Sequence, residues 1–112
     1  MLVFPENTSF ADDGAGCDFR FTAGDRLFYV EVKSSSGMDE SFTLGSSEIA
    51  LAMDLGRAKK RRQKERFIVL RVLNALSAQP IFPVLPNPYD DRYEQLFEIV
   101  EAGSRVRYRV AV

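Results

Sequence analysis

Asp18, Glu31 and Lys33 are the side chains of this chain whose types and spacing suit chemistry. Gly16-Cys17-Asp18-Phe19-Arg20-Phe21 and Leu27-Phe28-Tyr29-Val30-Glu31-Val32-Lys33 each alternate apolar with polar residues, the mark of half-buried strands. Gly24-Asp25 between them suits a two-residue hairpin loop, because glycine tolerates positive φ. That loop sets Asp18 opposite Glu31 across the ladder, with Lys33 two residues on along the same face. Carboxylates facing each other roughly 5 Å apart repel and destabilise a hairpin, and a divalent cation between them reverses the sign. The reading is a metal site with an adjacent ammonium.

The rest of the composition narrows the chemistry. There is no histidine, which removes the usual general base and the histidine-dependent nucleophiles and zinc sites. A single cysteine, Cys17, excludes an internal disulfide and a cysteine-cluster zinc site, and its alternation with Phe19 and Phe21 makes it a small core residue. Oxygen ligands then favour a hard ion, Mg²⁺ or Mn²⁺. Net charge is −1, but residues 57–66 carry seven of the fifteen basic side chains and one acid. Such a stretch either steers a phosphate backbone or forms a solvated helix end that complements the helix dipole. No apolar run is long enough to span a bilayer, and the N-terminus lacks the basic region and apolar core of a signal peptide, so the expected location is cytoplasmic with no membrane contact.

The 112 residues suit a single domain, residues 1–112, with one core. After a short apolar piece, Leu2-Val3-Phe4, and a polar loop comes the hairpin of about 17–33, then a third strand at Ser41–Leu44. A helix follows with Ser46 as N-cap and Glu48 in its first turn, ending or weakening at Gly56. Phe67–Leu73 reads as a central strand buried on both faces, and Ile81–Leu85, with Pro83 and Pro86, as an edge. The spacing of Tyr93, Leu96, Phe97 and Val100 predicts a helix over about 92–102 stopped by Gly103. The last segment alternates with Val106, Tyr108 and Val110 on one face. This order gives an α/β or α+β fold around a mixed sheet.

Asp18 followed by Glu31-Val32-Lys33 is similar to the Asp…Glu-x-Lys motif of the PD-(D/E)XK nuclease superfamily, the restriction-endonuclease-like fold. Gly16-x-Asp18, Tyr29-Val30-Glu31-Val32-Lys33-Ser34, Phe42-x-Leu44, Glu48 opening a helix, the strand 67–73, Asn87-Pro88 and Tyr108-Arg109-Val110 together resemble the C-terminal domain of plant NO VEIN proteins, over about residues 12–112. The resemblance implies a restriction-endonuclease-like mixed sheet flanked by helices, here lacking the usual first helix, as in an excised or N-terminally truncated domain. A second copy of the chain or another domain would then cover that sheet face. It further implies a Mg²⁺-dependent nuclease hydrolysing phosphodiester bonds in nucleic acid, with DNA the expected substrate. Asp18, Glu31 and the Val32 carbonyl would hold the metal. Lys33 would orient the attacking water, and Glu48 would be an accessory. Arg20, Arg57, Lys59, Lys60 and Arg61 are the candidate phosphate contacts.

Other readings stay open. Glu31 and Lys33 also suit a solvated same-face ion pair, Arg20 suits neutralising the acids without a metal, and Glu48 suits an acid placed favourably at a helix start. The alternative function is a catalytically inactive module of the same fold that binds nucleic acid or protein.

Overall fold

The computed structural model describes residues 15–39 and 41–110, together with the backbone of Ser9–Phe10. Gly24, at φ +63°, turns strand β2 (Phe19–Ala23) back into β3 (Arg26–Ser34), and β1 (Ser9–Phe10) pairs with the outer edge of β2. The β2–β3 register matches Ala23 with Arg26, Phe21 with Phe28 and Phe19 with Val30, as the alternation requires. On its other edge β3 runs parallel to β5 (Glu65–Val72), from Leu27 beside Glu65 to Ser34 beside Val72. Parallel neighbours need a long crossover, and here it carries β4 (Ser41–Leu44), helix α1 (Ser46–Arg57) and a 3-10 turn, Arg61–Gln63. β6 (Val84–Leu85) closes the edge of this five-stranded sheet, ordered β1-β2-β3-β5-β6. A second sheet of three strands is ordered β4-β8-β7, with β7 at Phe97–Glu101 and β8 at Val106–Val110.

The fold is therefore a small mixed α+β domain with two sheets. The larger core joins Phe67 and Val69 of β5 to Ala52 and Leu55 of α1 and to Phe42, Leu44, Val106 and Tyr108 of the second sheet. On the opposite face of the first sheet a smaller cluster gathers Phe19, Val30 and Leu70. β5 is buried on both faces, which is why its sequence is an almost unbroken apolar run.

Several expectations need correction. Residues 92–102 form no helix: a 3-10 turn, Glu94–Leu96, leads directly into β7. Phe97, Ile99 and Val100 have strong β preference, and the ladder to β8 pairs Phe97 with Val110 and Glu98 with Arg109, which overrides a spacing that suits either state. The sheet is not a single one, because β4 pairs with β8 and leaves the first sheet. Flanking helices reduce to one α-helix and two 3-10 turns among the described residues. The N-cap is Gly45 rather than Ser46, without a side-chain cap. α1 ends at Arg57, one residue past Gly56, where a Cβ would sit 2.7 Å from the Tyr89 carbonyl, so this glycine also serves close packing. The polar N-terminal loop contains the short strand β1. Leu2-Val3-Phe4, and the place where a first helix would stand, lie outside the described residues.

Candidate functional site

Alternation along β3 sends Tyr29, Glu31 and Lys33 towards α1, and Phe28, Val30 and Val32 to the other side. Glu31 is thereby only 6% exposed. α1 begins beside this point and brings its first-turn acid, Glu48, to the same place. Lys33 Nζ lies 3.2 Å from Glu31 Oε2 and 2.7 Å from Glu48 Oε1. The Gly45 backbone at the start of α1 also helps to hold Glu48 ionised. The accessory acid of the sequence reading is thus in direct contact with the lysine. The same-face Glu31–Lys33 pair is present, though half-hidden rather than solvated.

Asp18 arrives by a different route. Gly16, at φ +88°, runs so close to α1 that a Cβ would lie 2.6 Å from the Ser47 carbonyl oxygen and 2.9 Å from Leu51 Cβ. Only glycine meets both demands, and the turn it permits delivers Asp18 to the edge of β3. There the ladder no longer runs square. The Asp18 N–H donates to the Val30 carbonyl at 2.8 Å, and Asp18 Oδ2 accepts the Val32 N–H at 2.7 Å. Asp18 therefore caps the free edge of β3 instead of facing Glu31 as a simple cross-strand partner. In an extended strand a residue's N–H and C=O leave on the same edge, so the Val32 carbonyl lies on the Asp18 side.

Charge in this cluster is unbalanced, with Glu31 and Glu48 on the ammonium of Lys33 and Asp18 near enough to add to the rise of Glu31. Burial, then the hydrogen bond to Glu48 and its charge, push Glu31 up to about 8 against the pull of Lys33. Burial also opposes the charge of Glu48, but hydrogen bonds from Lys33 and Glu31 outweigh it and leave Glu48 below the usual carboxylate range. For Lys33, burial lowers and the Glu48 and Glu31 contacts raise, with a net rise above its ordinary value. Contact between the two glutamates thus raises Glu31 and lowers Glu48.

Among the described residues no three acidic or cysteine side chains converge into a ready-made cage. Two carboxylates are nonetheless what Mg²⁺ commonly takes, the remaining ligands being water and substrate oxygens. Asp18, whose second oxygen makes no hydrogen bond among the described residues, Glu31 and the Val32 carbonyl are hard oxygen donors. The excess negative charge that raises Glu31 is what a divalent cation would offset. The donor set fits such an ion.

The other candidates separate. Arg20 lies opposite Tyr29 on the Glu31 face, is exposed, and forms no ion pair with either acid among the described residues. Arg57, Lys59, Lys60 and Arg61 sit at the far end of the strands, where Leu27 N–H bonds the Lys64 carbonyl, roughly 20 Å of strand from Lys33. Arg61 is held by Asp54 and Glu65, at 2.7 and 2.6 Å. Cys17 is buried and its thiol is pushed up by burial, consistent with a core role. Sequence reasoning passed over Arg71, which is 4% exposed, and Arg105 and Arg107 nearby. Its signal was available: one charge inside the apolar run of residues 67–73.

The family model described as "Protein NO VEIN, C-terminal" matches residues 4–84. No curated protein and no solved structure matches the chain.

Proposed function

The chain belongs to the family of NO VEIN C-terminal domains, and from that membership and the site's geometry we propose that it is a metal-dependent phosphodiesterase of the PD-(D/E)XK type acting on nucleic acid, with DNA the expected substrate. The observation that carries the reading is Lys33, held 3.2 Å from a buried glutamate whose pKa is pushed up to about 8, with Asp18 on the adjacent strand edge.

In this reading Asp18, Glu31 and the Val32 carbonyl hold Mg²⁺ or Mn²⁺. When bound, the ion supplies charge neutralisation at phosphate and a more acidic water. The residues do the rest. Lys33, fixed between Glu31 and Glu48, presents a compact cation to a phosphate oxygen and orients water. Glu31, held beside Lys33, would serve as a ligand in its ionised form, which the cation favours. Glu48 positions Lys33 through its 2.7 Å contact.

The test is cleavage of mixed DNA and RNA substrates with Mg²⁺ or Mn²⁺ by wild type, Asp18→Ala and Lys33→Ala. Loss of at least about a hundredfold in both variants is expected; equal cleavage by all three proteins would falsify the assignment. A second reading, a silent module that binds nucleic acid without cutting it, is favoured by the close Lys33–Glu48 pair, which leaves the lysine already neutralised. Salt-sensitive DNA binding with no cleavage by wild type would select it.

A further inference from the structure

Beside Lys33, between β3, β5 and the second sheet, opens a cleft of about 450 Å³. Among the described residues its walls carry Arg71, Arg105, Arg107 and Lys33, the last already paired with Glu31 and Glu48, against one acid, Asp39. Asp39 is engaged by Ser41, whose N–H and Oγ–H donate to it at 3.0 and 2.9 Å. Among the described residues Arg107 has a loose 3.7 Å contact with Glu101.

Arg71 is the unusual member. It is 4% exposed, donates from Nε to the Lys33 carbonyl at 3.1 Å, and lies 5.6 Å from the centre of the Phe42 ring. Among the described residues no carboxylate pairs with it and its two terminal nitrogens make no hydrogen bond, although it lines the cleft. Burial pulls this guanidinium below its ordinary value, with the charge of Asp39 opposing. Planar guanidinium forks match the oxygens of a phosphate.

We infer that this cleft binds a phosphate group, the one neighbouring the bond proposed to be cut at Glu31 and Lys33. The inference rests on that reading for the source of the phosphate, and on Arg71, Arg105 and Arg107 for its chemistry. It moves the substrate's anchoring from the basic segment 57–66 to the end of the strands that carries Glu31.

Binding without metal separates the two ideas. In EDTA, a dye-labelled twelve-nucleotide oligo-dT is titrated by fluorescence anisotropy, and inorganic phosphate is tested as competitor. Arg71→Met and the exposed pair Arg105→Ala/Arg107→Ala should each weaken the oligonucleotide by about tenfold or more, and the pair should flatten the salt dependence. Lys59→Ala/Lys60→Ala should change affinity by less than about threefold. The Arg105/Arg107 pair keeps the test valid if Arg71→Met fails to fold. Phosphate binding that the pair abolishes, with no oligonucleotide binding, supports the anion site and overturns its nucleic-acid source. Unchanged affinity of both cleft variants overturns the inference. Absent cleavage with these binding losses intact counts against the hydrolase reading alone.

Discussion

Replacing Glu31 with glutamine should remove a pH dependence that the fold imposes on itself. In the unfolded chain Glu31 ionises near 4.5, whereas in the fold it resists ionisation until about 8. Because the folded value is raised, the stabilisation is complete below pH 4.5 and is lost as pH climbs through 8. A shift of that size corresponds to a ceiling of about 5 kcal/mol at 1.36 kcal/mol per unit. Coupling to Glu48, and the compensating charge of Lys33, reduce this to roughly 2–3 kcal/mol between pH 5 and 9. In a domain of this size that is a fall of about 8–12 °C in melting temperature. The glutamine amide can donate to Glu48 as the protonated acid does, so Glu31→Gln should match wild type at pH 5 and exceed it at pH 9. Glu48, with its lowered value, contributes in the opposite direction and below pH 4.5, outside this window. Thermal and urea unfolding at unit steps of pH give the difference curve. A wild-type-minus-variant difference that stays constant from pH 5 to 9 would mean that Glu31 is not the group that titrates.

Two further substitutions test how the site is positioned. Gly16→Ala forces a Cβ to within 2.6 Å of the Ser47 carbonyl oxygen at φ +88°, and should cost about 2–4 kcal/mol in urea unfolding while loosening Asp18 from β3. Asn87→Ala removes a donor held 2.7 Å from the Ala52 carbonyl and an acceptor of the Tyr89 N–H, and should cost about 2 kcal/mol by the same measurement.

What could be read from the sequence was what the chain decides locally. Gly24-Asp25 and the alternation on either side fixed the β2–β3 register, and with it the common face of Glu31 and Lys33. The apolar run of β5 likewise announced a strand covered on both sides. Long-range pairing was not legible. β7 became a strand because β8 waited for it, and β4 left the first sheet for the same partner. Glu48 touches Lys33 only because α1 docks where Gly16 lets the chain pass closely. The family pattern marked Glu48 and Gly16, but not the reason the two belong together. Arg71 was hidden by its neighbours, its charge averaged away in the apolar run of residues 67–73.

Manganese binding at pH 8, measured by calorimetry on wild type, Asp18→Ala and Glu31→Gln, decides whether these acids hold a metal ion. One ion per wild-type chain is expected, with at least about a tenfold loss of affinity in each variant. Equal affinity in all three proteins, or no binding by any of them, would show that these acids do not.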